Sequence, residues 1–323
     1  MKNNIYRCPK CSSMLDVNVD ALSCSAGHTF EMLQIGGVLA PVFDCEKEEG
    51  NDYAAAEAAK MNENATNWVL NTFNSTEVDL RKNLISRLHL KPGQKVLITG
   101  TGAGADLPFL VKNLGEEGEI FAQDYSKEML QEAIKRAQGE YELSKYNIEF
   151  SVSDATNLPY VDDYFDAVYH FGGINLFSDI AKGISEMDRV AKDGGRIVFG
   201  DEGIASWLKD TEYGKMVINN NKLCDYDPPL DLLPKNAKDV NLSWAAGNCF
   251  YIVDYTKSTS PLPINIDIPH IGKRGGTIRT RYFGQLEGVD PELKDKIYFE
   301  AEKKNVSRVA FLEKLLREGL KGN

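Results

Sequence analysis

The run VLITGTGAGAD, from Val96 to Asp106, carries a short apolar segment straight into glycines at positions 100, 102 and 104. A glycine has no Cβ, so each one lets a ligand approach the main chain and lets the chain turn sharply. The pattern predicts a strand, a tight loop and a helix that together bind a nucleotide-type cofactor. As written, GTGAGA also satisfies the loose dinucleotide pattern G-x-G-x-x-G/A, so the run alone does not choose the cofactor.

Strand and helix signals alternate from Lys95 onward. Short apolar segments at Val96–Thr99, Glu119–Ala122, Ile148–Val152, Asp166–His170 and Arg196–Gly200 read as strands. Amphipathic patterns near Leu107–Leu114, Lys127–Ala137 and Ile180–Val190 read as helices between them. Such an order predicts a parallel sheet with crossover helices, whose ligands sit at the carboxyl ends of the strands. The glycine loop, Asp124, Asp154 and His170 then share one crevice. Asp124 ends the second strand, twenty residues after Gly104, where a carboxylate can accept from both hydroxyls of a ribose. Its alternative role is to cap the next helix, but Ser126 stands in the better capping position. Asp154 suits an exocyclic amine, or else makes a local Asx turn.

In the same order come VLITGTGAG, FAQDYSKEML, SDATNLPYVDDYFDAVYH and EMDRVAKDGGRIVFGDE. Over about residues 90–205 this resembles class I S-adenosylmethionine-dependent methyltransferases, in particular the group that includes the ubiquinone and menaquinone C-methyltransferases. The matching pieces are Asp124, Asp154-Ala155, Leu158-Pro159, Phe165-Asp166 and Arg189-Val190 with Gly194-Gly195. The resemblance implies a Rossmann-like, mostly parallel seven-stranded sheet with an antiparallel last strand. It also implies a donor site at Gly100, Thr101, Gly102, Gly104, Asp124, Tyr125, Asp154, Ala155 and His170. The family commonly has an acid where this chain has Ile98, and Asp106 is a candidate substitute. His170 is the candidate base, needed only if the methyl acceptor must lose a proton. A nicotinamide enzyme fits less well. Its Tyr-x-x-x-Lys pair would be Tyr141 and Lys145, too early in the chain, and its glycine pattern needs a glycine where Asp106 stands.

Three of the six cysteines fall in the first 24 residues. Cys8, Cys11, Cys24 and His28 are spaced C-x2-C-x12-C-x3-H, two short pairs that can close a tetrahedron around a structural zinc. A segment of this length has too little core to fold alone, and a metal would supply the missing free energy. The segment resembles the zinc ribbon of ribosomal RNA guanine-N1 methyltransferases and the Trm112-like ribbon. In the second resemblance Ile35-Gly36-Gly37-Val38-Leu39 is a strand. Cys45, Cys224 and Cys249 show no pairing.

The expected division is a ribbon over 1–43, a helical linker over 44–90, a methyltransferase domain over 91–284 and terminal helices over 285–323. In the linker, Asp52 would cap a helix through Ala54–Lys60. A second helix from near Ser75 would carry Leu80, Leu84 and Leu88 on one stripe, packed on the edge of the next domain. Within the main domain, 201–248 reads as a substrate-side insertion bearing Trp207, Tyr213, Tyr226 and Trp244. Asn248–Tyr255 and Thr277–Gly284 read as the closing hairpin. Asp290-Pro291 opens the terminal helices.

The absence of a signal region or a long apolar run predicts a cytoplasmic protein without a membrane span. The net charge of −11 argues against broad capture of nucleic acid. Lys273, Arg274, Arg279 and Arg281 still form a local basic cluster. The leading expectation is therefore methyl transfer to a small metabolite. The alternatives are an RNA methyltransferase that uses its ribbon on the substrate, and an inactive cofactor-binding module. Neither the oligomeric state nor the acceptor atom follows from the sequence.

Overall fold

The structure is a computed structural model that describes residues 5–18, 21–43, 58–269, 271, 277–282 and 289–321. Four antiparallel strands come first: β1 (Leu15–Val17), β2 (Ala21–Cys24), β3 (Thr29–Ile35) and β4 (Val38–Val42). Helices α1 (Ala58–Thr72) and α2 (Glu77–Ser86) follow. Then β5 (Lys95–Thr99), α3 (Leu107–Leu114), β6 (Glu119–Asp124), α4 (Lys127–Gln138), β7 (Asn147–Val152), β8 (Phe165–Phe171), α5 (Ile180–Val190) and β9 (Ala191–Glu202) alternate. Helix α6 (Glu212–Asn220) precedes β10 (Lys238–Ala245) and β11 (Phe250–Thr256). Helices α7 (Ile278–Tyr282), α8 (Pro291–Lys303) and α9 (Arg308–Leu320) complete the chain. Contacts divide it into two compact units, Met1–Pro261 and Leu262–Asn323.

All the strands join one sheet, in the order β1-β2-β3-β4-β7-β6-β5-β8-β9-β11-β10. The seven strands from β7 to β10 form the Rossmann-like sheet, and β11 runs antiparallel to both its neighbours. The interior strands are apolar on both faces because both are covered. Val96, Ile98, Tyr169 and Val198 face a layer that includes Leu70 of α1, Leu84 of α2, Leu110 of α3 and Ile134 of α4. Leu97, Val168 and Phe199 face α5 through Ile184 and Met187. Leu80, Leu84 and Leu88 are all buried, in the core layer that includes Leu110 of α3. Thr76 caps α2, and α1 begins at Ala58, so the cap expected at Asp52 lies outside the described residues.

Two further expectations are corrected. Ile35–Leu39 is not one strand: Gly36 and Gly37, with φ of +53° and +84°, turn the chain between β3 and β4. A two-residue loop with both φ positive matches the twist of a hairpin. The partner of β11 in the closing hairpin is β10, inside the stretch read as an insertion, and Ile278–Tyr282 is helical. On this helix Arg279 pairs with Asp267 at 2.6 Å. Of the rest of that basic cluster, Lys273 and Arg274 lie outside the described residues.

The N-terminal strands do not form a separate lobe. β4 pairs in parallel with β7 at Val42 and Val152. Tyr6, Phe30 and Phe43 pack on one another and on Tyr160, extending the α5-side core beneath the sheet.

At the other end of the sheet, Asp254 is 2% exposed and faces two arginines. Arg87 donates to it at 3.0 Å, and Arg196 is also paired with it. Asp254→Ala would leave Arg87 partly buried without its carboxylate and Arg196 with only Asp239 as a counter-charge. The variant should lose about 3–5 kcal/mol of stability, read as a lower denaturant midpoint.

Candidate functional site

The carboxyl ends of β7, β6, β5 and β8 are neighbours, so Asp154, Asp124, the glycine loop and His170 meet along one edge of the sheet. The loop begins at Gly100, whose φ is +71°. A Cβ there would stand 3.1 Å from the His170 ring, so both the backbone and the space require glycine. At Gly104, φ is +83° and a Cβ would stand 3.2 Å from that of Ala133, where α4 packs close beneath the loop.

Asp124 holds this loop. One carboxylate oxygen accepts from the Gly102 N–H at 2.7 Å and the other from the Ser126 N–H at 2.8 Å. Ser126 caps α4 by accepting from Met129, so Asp124 does not have that task. Burial pushes the Asp124 carboxyl up to about 6, against the pull of the backbone N–H groups. The Tyr125 N–H also points at this carboxylate, and of its roughly four lone pairs about one is left for a further donor. Tyr125 follows, half-buried.

Gln123, which sequence reasoning missed, braces the floor. Its carbonyl accepts from the Gly100 N–H at 3.3 Å, and its amide donates to the Ser153 carbonyl. Thr101 donates its N–H to the Gln123 carbonyl, while its buried hydroxyl has no partner among the described residues. Asp154 makes the Asx turn, accepting from both the N–H and the hydroxyl of Thr156 through one oxygen. Its other oxygen meets no side-chain or main-chain donor among the described residues. Ala155 beside it is buried.

His170 is 1% exposed. Its Nδ1 lies 2.7 Å from the Thr99 carbonyl, which can only accept, so Nδ1 carries the proton. Burial lowers its pKa despite the nearby Asp201, and the ring is neutral. Nε2 therefore presents a lone pair, and no described residue meets it. Asp201 fixes the following loop by accepting from the N–H groups of Gly173 and Asn175. Asp106, the candidate substitute for an acid at position 98, is paired with Arg81 at 2.7 Å.

Cys8, Cys11, Cys24 and His28 converge, with all four ligand atoms within 4.8 Å of one another. Cys11 and Cys24 sulfurs are 3.6 Å apart, and His28 Nδ1 is 3.4 Å from both Cys8 and Cys24. A tetrahedral ion with bonds of about 2.3 Å to sulfur separates its thiolates by about 3.7 Å, so this set fits zinc. The N-terminal segment also grips the residues after Asp154. Asn157 donates to the Pro9 carbonyl, Arg7 N–H to Pro159 and Val161 N–H to Ile5. Arg7 and Asp162 form an ion pair at 2.6 Å.

The sequence profile of the methyltransferase-domain family matches residues 90–251, half of the chain. A demethylmenaquinone methyltransferase of Desulfitobacterium hafniense is 34% identical over 154 residues, covering 46% of this chain and 59% of its own. One from Deinococcus radiodurans is 39% identical over 105 residues, covering 32% of this chain and 42% of its own. The chain thus spans about half the length of these curated relatives. Phosphoethanolamine N-methyltransferase 2 of Haemonchus contortus, solved with S-adenosyl-L-methionine, shares the fold. Its TM-score is 0.52 at 14% identity, over 68% of this chain and 62% of that one.

Proposed function

The chain belongs to the methyltransferase-domain family, and we propose that it moves a methyl group from S-adenosylmethionine to a small metabolite. The observation that carries this reading is the glycine loop clasped by Asp124. When bound, the donor supplies a methyl group on an electrophilic sulfonium. The Asp124 carboxylate would accept from the ribose hydroxyls, and Asp154 with Ala155 would border the adenine. The open main chain at Gly100–Gly104, with Thr101, would take the methionine portion. The protein's contribution is alignment and exclusion of water, since the donor is already activated. His170, whose Nε2 lone pair is buried without a partner among the described residues, is the candidate to take a proton from an acceptor hydroxyl once the site opens to it.

The reading gives the ribbon one structural zinc on Cys8, Cys11, Cys24 and His28. Three thiolates and an imidazole leave no open position for chemistry. A role for the ribbon in RNA binding has less support, because Arg279 is paired with Asp267 and the N-terminal strands are built into the sheet.

Incubation with methyl-labelled donor, a metabolite extract and fractionated RNA tests the assignment. Label should enter a small organic-soluble product. Label confined to RNA would overturn the substrate class, and no transfer to either would favour an inactive module.

A further inference from the structure

Strand β10 ends the sheet, and no other described strand pairs with its outer edge. We propose that a second copy of this chain does so, antiparallel and about a two-fold axis through Leu242, so that the sheets of two protomers run on into one another. The proposal concerns assembly and does not depend on the methyltransferase reading.

The sequence sets the limits of the free edge. Asp239, with φ of +50°, makes a bulge between the pairs Lys238–Thr256 and Asn241–Asp254. A bulge bends the strand and interrupts regular pairing, which leaves Val240–Ala245 as the straight part. The unpaired N–H and C=O groups of such an edge are a template for another strand, and proteins commonly guard them with charge or proline. Residues 240–249 hold neither, although the chain as a whole carries a net charge of −11. A neutral stretch is where two acidic chains can meet with least repulsion.

β11 fixes which way the β10 side chains point, because residues paired across a ladder share a face. Leu242 and Trp244 pair with Val253 and Tyr251, which both belong to the α5-side core. Val240, two residues before Leu242, lies on the same face. Val240 and Leu242 are 44% and 40% exposed there. Trp207, 64% exposed, stands edge-on to Trp244 with ring centroids 5.9 Å apart. The single turn Leu230–Leu232, packed on α5, adds exposed leucines on that side. An apolar group of this kind beside a free strand edge marks a protein contact.

The partner is argued from self-complementarity, which a two-fold contact requires. Centred on Leu242, Val240 faces Trp244 of the second copy, Asn241 faces Ser243, and Leu242 faces its own equivalent. Apolar side chains then meet on the α5 side and small polar ones on the other, with no like charges opposed. The adjacent registers, centred on Asn241 or Ser243, would draw in the bulged Asp239 or Ala246, whose φ is +43°. Only the register on Leu242 keeps every pair within the straight segment.

Sedimentation velocity at micromolar concentration tests the assembly, with circular dichroism and S-adenosylhomocysteine affinity as checks on folding. The parent should sediment at twice the 36.0 kDa of one chain. Leu242→Asp sets two carboxylates about 5 Å apart across the axis and should weaken dimerisation at least about tenfold, with the circular dichroism unchanged. Leu242→Val, which stays apolar and suits a strand, should remain within about threefold of the parent. A short bis-maleimide should join Leu242→Cys into a species of doubled mass, above the background set by the parent's own cysteines. Lys112→Cys, exposed on α3, should not be joined. A monomeric parent, a dimer that Leu242→Asp leaves intact, or equal cross-linking of the two cysteine variants would overturn the proposal. So would assemblies that keep growing with concentration, because a two-fold contact closes on itself.

Discussion

Cys8→Ser should be isolated without its metal, should melt at a lower temperature, and should bind S-adenosylhomocysteine at least tenfold more weakly. The first effect follows from the ligand set. Cys8 is buried, 3.4 Å from His28, and a hydroxyl is a poor replacement for a thiolate on zinc. The second follows from size. A structural zinc contributes on the order of 10 kcal/mol to folding in small domains, and here the β4–β7 pairing and the packing of Tyr6, Phe30 and Phe43 retain part of that stability, so the loss shows as a lower melting temperature. The third is specific to this architecture. The ribbon backbone bonds directly to residues 157–161, immediately after Asp154 and Ala155. If those anchors loosen, the donor must order the segment on binding, at about 1–2 kcal/mol for each residue fixed. A tenfold loss is about 1.4 kcal/mol, so one freed residue is enough. Cys224→Ser removes a thiol from the other end of the sheet and should leave metal content at one zinc per chain. Full metal content in Cys8→Ser would contradict the site assignment. Unchanged donor affinity in a metal-free sample would contradict the coupling.

Asp124→Ala should weaken donor binding by about 1.5–3 kcal/mol, or roughly ten- to a hundredfold, the scale of hydrogen bonds to a charged group. The loss has two sources. The ribose hydroxyls lose their acceptor, and the Gly102 N–H loses the partner that sets the loop. The pH dependence carries the same signature. Burial holds the Asp124 carboxyl at about 6, and the bound donor favours the carboxylate. Binding therefore expels a proton at acid pH, and affinity should climb as pH rises from 5 to 7, then level off. In Asp124→Ala that climb should be gone. A parent protein with the same affinity at pH 5 and pH 7 would remove Asp124 from ribose binding.

Much of the fold is legible because β5, β6 and β8 are buried on both faces, which writes a short apolar run into the sequence. β10 escapes that rule. It is an edge strand whose alternating Val240 and Leu242 stay exposed while Trp244 is half-buried, so its signal is no stronger than that of Thr277–Gly284. Gly36-Gly37 was the readable exception: two glycines between apolar segments are a hairpin signal, and treating them as strand missed the β3–β4 turn. The site separates along the same line. Gly100, Asp124 and Asp154 sit at fixed distances along the chain from strand ends, so spacing finds them. Gln123 and Asp106 take their roles from partners far away in sequence, Ser153 and Arg81. Nothing local marks them. The union of the ribbon with the main sheet through β4 and β7 is of the same kind, a contact between segments more than a hundred residues apart.

The central claim is that this edge of the sheet binds S-adenosylmethionine. Titration of the full chain with S-adenosylhomocysteine in a calorimeter at pH 7.5 tests it most directly. The account predicts saturable binding at one site per chain, weakened in Asp124→Ala. No measurable heat with ligand at millimolar concentration, in a sample that is folded and carries its zinc, would contradict it.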